Sequence, residues 1–251
     1  MKNIFLFLCF ISALSVSHAA SVTGIDAPVP VTVSIKGGGG FSGVLIKNGW
    51  VLTAGHALKA AKDDIEIIFQ GHVIASVSSP EKNKDFFIKE EADGHEESDF
   101  GKDYAGIKQY FKIFGAHDIG LIKIPISEDF ENVKTNFLTV SQENDLSKLE
   151  DPVVVYIKED AGDADSLYSP VYFNKSGLKY TEEGILLTFE NLDAVKHGDS
   201  GAPLFAGNKL IGIVRGGVDI LTKEGQTFEA PSFVPLSGGN MSFIKSLIDK
   251  N

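Results

Sequence analysis

One cysteine, Cys9, occurs in 251 residues, and it falls inside the N-terminal apolar run 4–16. A disulfide framework and a cysteine-ligated zinc site are therefore both excluded. Lipid attachment at Cys9 would need small residues just before it, and Phe7 and Leu8 stand there. Basic charge is the second scarcity. Lysine and arginine total 23 against 34 aspartates and glutamates, a formal net charge of −11, and Arg215 is the only arginine. A nucleic-acid partner is not expected, because such binding depends on basic side chains that neutralise phosphates. Long apolar segments are the third scarcity. The run 4–16 is too short to span a bilayer comfortably, and no later segment has the length of a transmembrane helix.

What stands at the N-terminus fits export. Lys2 gives a positive start, and Ser17-His18-Ala19 meets the small-residue rule at a cleavage site. Residues 1–20 are expected to be a signal peptide, and the mature protein to be secreted or periplasmic, with no membrane attachment after cleavage. About 230 residues remain, enough to bury a core without covalent staples.

The mature sequence reads mainly as short strands between Gly, Asn, Asp and Pro signals. Expected strands are 31–35, 41–46, 50–53, 65–69, 73–77 and 119–124, then 153–157, 184–189, 203–205, 210–214 and 228–234. Lys47-Asn48-Gly49 carries the Asn-Gly pair favoured in hairpin turns. The polar stretch 127–149 suits a connection between two strand sets. Met241, Ile244, Leu247 and Ile248 have helical spacing, with Phe243 beside them, and Asn240 is expected to cap that helix. So many short strands imply an all-β sandwich or barrel, and the pattern alone does not choose between them. The acidic stretch 89–103 is expected to be a solvated loop rather than a calcium site, since Gly94 and Gly101 do not match an EF-hand. His72 and His95 have no metal-ligand spacing, so no metal and no cofactor is expected.

Three segments carry the chemistry: Thr53-Ala54-Gly55-His56, His117-Asp118-Ile119-Gly120-Leu121 and Gly198-Asp199-Ser200-Gly201-Ala202-Pro203. They supply a histidine, an aspartate and a serine, in that order. No histidine follows Ser200, which excludes the Ser…Asp…His order of the α/β-hydrolases. The order and the local residues resemble the trypsin/chymotrypsin-like serine peptidases, over almost the whole mature chain. The missing disulfides suit a bacterial, secreted type.

The resemblance implies two six-stranded antiparallel β-barrels with a cleft between them, and a C-terminal helix. Barrels at 21–135 and 136–251 are expected. It also implies that His56 is the general base, Asp118 its orienting carboxylate and Ser200 the nucleophile. The N–H groups of Gly198 and Ser200 would form the oxyanion hole. His117, beside Asp118, is expected to be a bystander. Asp199 corresponds to a structural aspartate that pairs with a new N-terminus in animal zymogens. This chain has no lysine or arginine between Lys2 and Lys36 for that cut. Lys196, Arg215 or the end left by signal peptidase remain open as partners.

Substrate would lie along Val214, Arg215, Gly216 and Gly217, with Val195 and His197 lining the pocket before the scissile bond. Ala194 stands where trypsin-like members carry an aspartate, so cleavage after Arg or Lys is not expected. The apolar lining points to an uncharged apolar residue, with glutamate second. The expected partner is a protein or peptide substrate, and the expected state is a monomer. A catalytically silent homologue that binds proteins in the same cleft is the alternative.

Overall fold

The computed structural model describes residues 29–36, 38–78, 86–88, 97–104, 107–112, 117–125, 137, 143–159, 168–181, 184–222 and 226–249. The expected signal peptide, residues 89–96 of the acidic stretch and most of the connection 127–149 lie outside them. In chain order the strands begin with β1 (Val29–Ile35), β2 (Gly40–Ile46), β3 (Trp50–Thr53), β4 (Ile65–Phe69), β5 (His72–Val77) and β6 (Phe86–Ile88). A hairpin of β7 (Glu97–Tyr104) and β8 (Ile107–Lys112) precedes β9 (Gly120–Lys123). Then come β10 (Val153–Lys158), β11 (Tyr168–Phe173), β12 (Leu178–Tyr180), β13 (Leu186–Thr188), β14 (Pro203–Ala206), β15 (Lys209–Thr222) and β16 (Thr227–Pro235). Among the described residues three α-helices accompany them: α1 (Gly55–Ala60), α2 (Glu143–Leu146) and α3 (Gly238–Ile248).

These strands form two antiparallel sheets, the architecture of the chymotrypsin-like fold. The first runs β5-β4-β1-β2-β3-β9-β6; the second runs β11-β10-β14-β15-β16-β13-β12, with β8 also on β15 and β7 on β8. Among the described residues they hold seven and nine strands, where the resemblance implied six each. Part of the acidic stretch expected as loop is therefore strand, because pairing is a property of the backbone and does not require apolar side chains. Strand β15 is also longer than the apolar run 210–214 suggested. It continues through Gly216 and Gly217, paired with β16, after a register shift between Val214 and Gly216.

Local chemistry accounts for the first sheet. On β1 the valines at 29, 31 and 33 alternate and are all buried, the period of a strand with one face on a core. Between β2 and β3 the chain reverses at Asn48 (φ 60) and Gly49 (φ 66). That left-handed pair is what an Asn-Gly turn supplies. Each sheet has its own core, around Val31, Leu45 and Ile67 in the first and Val153, Phe173 and Phe233 in the second. A third apolar cluster joins them. It takes Leu52 and Leu121 from the first sheet, Ile213 and Val234 from the second, and Met241, Ile244 and Ile248 from α3. Each such side chain, fully buried, contributes about 1.5–3 kcal/mol.

One capping expectation is corrected. The helix α3 starts at Gly238 after Ser237, so Asn240 lies inside it rather than at its cap. The buried Asn240 Nδ2 donates to Pro235 O at 3.0 Å. Its Oδ1 meets His117 Nδ1 at 2.8 Å, so Asn240 ties the helix to the sheet junction.

Candidate active site

Strand topology brings the three chemical segments to one place. Strands β3 and β9 are antiparallel neighbours, with Thr53 opposite Gly120. The residues just after β3 and just before β9 therefore sit at the same end of the sheet. His56 is on α1, three residues past β3, and Asp118 lies two residues before β9. In the second sheet Ser200 stands just before β14, whose Pro203 pairs with Ile213 of β15.

The Asp118 carboxylate is almost fully buried, and both its oxygens are engaged by His56. Oδ1 accepts the His56 backbone N–H at 2.6 Å. Oδ2 meets His56 Nδ1 at 2.5 Å. A carboxylate can only accept, so the Nδ1 proton lies on this contact and Nε2 is left as an acceptor. Nε2 is 3.2 Å from Ser200 Oγ. That hydroxyl also lies 3.2 Å from the carbonyl of Arg215. The arrangement can hold an imidazole in one tautomer and let it take a serine proton.

The turn that carries Ser200 has a defined form. Asp199 N–H donates to Lys196 O at 3.0 Å, and Ala202 N–H donates to Asp199 O at 2.9 Å. Gly198 (φ 103) and Gly201 (φ 90) occupy the third positions of these two turns, while His197 and Ser200 keep negative φ. Both turns are therefore of type II, which favours glycine at that position. At Gly201 there is a second demand. A Cβ there would fall 2.1 Å from Ser42 O and 2.3 Å from Thr53 Oγ1. Among the described residues, no acceptor pairs with the N–H of Gly198 or of Ser200, whereas those of Asp199, Gly201 and Ala202 are bonded. Two such N–H groups beside a serine hydroxyl can bind an oxyanion.

Asp199 is buried behind this turn. Its Oδ1 accepts the Lys158 backbone N–H at 3.1 Å, and its Oδ2 accepts that of Lys196 at 2.8 Å. Burial pushes its carboxyl above the ordinary aspartate value, partly offset by those two N–H groups and by the Lys158 and Lys196 charges. Of the partners left open by sequence, Lys196 takes part, through its backbone. Lys158 had no sequence signal beyond ending an apolar strand.

The expected substrate-binding residues fall into two groups. Val195 and Val214 belong to the core of the second sheet, with 2% and 0% exposure. His197 is exposed, and Gly216 and Gly217 are half-buried. Arg215 is buried, and its carbonyl rather than its charge meets Ser200. A Cβ on Gly217 would lie 1.8 Å from Glu229 Oε1, so a carboxylate covers that glycine. Burial raises the Glu229 carboxyl above its usual value, and the Asp219 and Asp193 charges add to the rise.

Sequence reasoning missed Ser42 and Tyr168, and named Thr53 only as part of the His56 segment. Ser42 N–H donates to Ser200 O at 3.0 Å, and its hydroxyl donates to Gly198 O at 3.1 Å. Thr53 Oγ1 donates to Ser42 O at 2.7 Å. The available signal was a serine inside the apolar strand 41–46. Nothing in the sequence marked Tyr168. Among the described residues, no group of three or more His, Cys, Asp or Glu is arranged to hold a metal ion.

Comparison with known proteins agrees with this architecture. A solved Glu endopeptidase is similar at 13% identity and TM-score 0.52, over 91% of this chain and 99% of that one. Kallikrein-related peptidase 10 is similar at 14% identity and TM-score 0.53, over 88% and 96%. The scabies mite inactivated protease paralogue S-D1 is similar at 14% identity and TM-score 0.54, over 90% and 96%. No curated protein matches the sequence. At such identities these likenesses establish the fold. The family model for Trypsin matches residues 19–233, and with most of its length covered the chain belongs to the trypsin family of serine endopeptidases.

Proposed function

We propose that this chain is an active, exported endopeptidase that cleaves peptide bonds through an acyl-enzyme on Ser200. The carrying observation is the continuous contact series from Asp118 through both His56 nitrogens to Ser200 Oγ. In this reading His56 Nε2 takes the Ser200 proton as Oγ bonds to the substrate carbonyl carbon. The carbonyl oxygen becomes an oxyanion on the N–H groups of Gly198 and Ser200. Such donors each lower a barrier by about 3–4 kcal/mol. His56 then gives the proton to the leaving amine as the C–N bond breaks. Water, deprotonated by His56, attacks the ester carbonyl, and His56 returns that proton to Ser200 Oγ as the acyl C–O bond breaks and the acid leaves. Asp118 holds the imidazole and stabilises its cationic form. The export leader argues for secretion or the periplasm, and the missing disulfides for a bacterial source.

The residue before the scissile bond is read as apolar. Ala194 offers no charge where trypsin-like members carry an aspartate, whereas Val195 and Val214 face the core and take no part. Glutamate becomes a weaker second choice, although a Glu endopeptidase shares the fold. The Glu229 carboxylate over Gly217 would repel it.

The silent-homologue reading draws on one observation, the inactivated protease paralogues among the similar structures. Labelling separates the two. An active protein takes a fluorophosphonate probe on Ser200, and Ser200→Ala abolishes the label. A folded protein that takes none is the silent homologue. Cleavage of a mixed peptide library then reads the specificity, and predominant cuts after Lys or Arg would overturn the apolar assignment.

A further inference from the structure

Two of the three hydrogen-bonding groups of one buried residue reach the serine turn, and the third is tied to the strand before His56. Ser42, on β2, is wholly buried. Its N–H holds Ser200 O at 3.0 Å, its hydroxyl holds Gly198 O at 3.1 Å, and its carbonyl takes the Thr53 hydroxyl at 2.7 Å. The carbonyls it grips belong to the two residues whose N–H groups have no acceptor among the described residues. Tyr168, from β11 of the other sheet, closes the arrangement from behind. Its hydroxyl lies 2.6 Å from Val31 O and 3.3 Å from Ser42 Oγ. The tyrosine has one proton, and the shorter contact takes it. Of the two acceptors then open to the Ser42 proton, Gly198 O at 3.1 Å is nearer than the tyrosine oxygen at 3.3 Å.

We propose that Ser42 is a positioning residue that holds the turn at Gly198 in the form whose N–H points to the oxyanion. A type II turn becomes type I when its central peptide flips, with little displacement of its ends. Here the central peptide joins His197 to Gly198, and it carries the Gly198 N–H. Glycine tolerates either form, so local sterics do not select one. A donor fixed on Gly198 O anchors the next peptide, so the flip would have to swing the φ of Gly198, 103 here, against a peptide that Ser42 holds in place. The sheet that carries His56 thereby shapes the oxyanion site on the other sheet. The inference rests on the oxyanion role given above to Gly198 and Ser200.

The test compares wild type, Ser42→Ala and Ser42→Cys on a peptide p-nitroanilide that the wild type cleaves. A peptidyl boronic acid serves as the transition-state probe. Ser42→Ala should lower kcat about 10–100-fold and weaken the boronic acid by a similar factor, with KM changed less than about twofold. Ser42→Cys keeps the shape and a weaker donor, so its kcat should lie between the two. A kcat for Ser42→Ala within about twofold of wild type would overturn the proposal. So would equal losses in Ser42→Ala and Ser42→Cys, or a rise in KM alone. Should Ser42→Ala not accumulate as folded protein, Ser42→Cys carries the comparison: a fall in kcat at steady KM supports the proposal, and a wild-type kcat or a rise in KM alone overturns it. A wild type that neither cleaves peptides nor takes a fluorophosphonate would overturn the peptidase reading itself, and this proposal with it.

Discussion

The two sheets meet across two unlike seams. One is apolar: Leu52 and Leu121 face Ile213 and Val234, with Ile244 and Ile248 of α3 closing the cluster. The other is polar: His56 and Ser42, backed on their own side by Asp118 and Thr53, reach Ser200, Gly198 and Tyr168 on the other. The apolar seam gains stability from area removed from water and asks for no particular direction. The polar seam gains little net energy per bond, since each replaces a bond to water, but it fixes directions. Stability and catalytic geometry are thus concentrated in different parts of one interface.

The largest expected effect isolates the polar seam. Ser200→Ala or His56→Ala should reduce turnover about 10⁴–10⁶-fold, while the thermal midpoint moves little, because neither side chain packs a core. A wild-type rate in Ser200→Ala would refute the assignment. Next comes the apolar seam. Ile244→Ala should cost about 2–5 kcal/mol of stability, read by denaturant unfolding. The kcat of the folded fraction should stay near wild type. A large kcat loss there would mean that the two seams are not separable.

Gly201→Ala joins them. Its methyl group would meet the Ser42 carbonyl and the Thr53 hydroxyl at a backbone φ of 90. Stability should fall by about 1–3 kcal/mol and turnover should fall with it, measured on the same preparation. Unchanged values for both would mean that the close approach at Gly201 is not maintained in solution.

A smaller effect follows from pH. Burial pushes the Tyr168 hydroxyl from its ordinary value of 10.0 up to about 12. Between those values the unfolded chain loses the proton first, so the folded state binds more protons and stability falls as pH rises. Below the lower value the contribution is fully present. Tyr168→Phe has no proton to lose, and its stability should decline less steeply over that window, read by unfolding at stepped pH. Asp199 has the same sign, since its folded-state value is also raised. Its contribution is complete below the ordinary aspartate value and lost as pH rises through the raised one, the reverse of most carboxylates. The smallest effect lies outside both seams. Lys47 and Asp249 pair at 2.8 Å with side chains 40% and 56% exposed. Lys47→Ala should leave the unfolding midpoint nearly unchanged, since such pairs are screened and entropically costly.

Features that depend on local chemistry and short-range pattern were legible in the linear chain. Alternating valines mark β1, Asn48 and Gly49 the β2–β3 reversal, and Met241, Ile244 and Ile248 the buried face of α3. The three motifs named His56, Asp118 and Ser200, because residue types, order and neighbours are all properties of the chain as written. The remaining partners are far apart in sequence and are chosen by register and sheet contact. Ser42 meets Gly198 across 156 residues, and Tyr168 meets Val31 across 137. Asp199 ends on two backbone N–H groups rather than on a side-chain cation, since burial beneath its own turn leaves those donors nearest. Val195 and Val214 were read as pocket lining from the family resemblance, but both side chains lie in the core, Val214 on β15 and Val195 in the segment leading to the Ser200 turn. Composition names the apolar and polar groups available to such an interface; only the folded register decides which of them face each other.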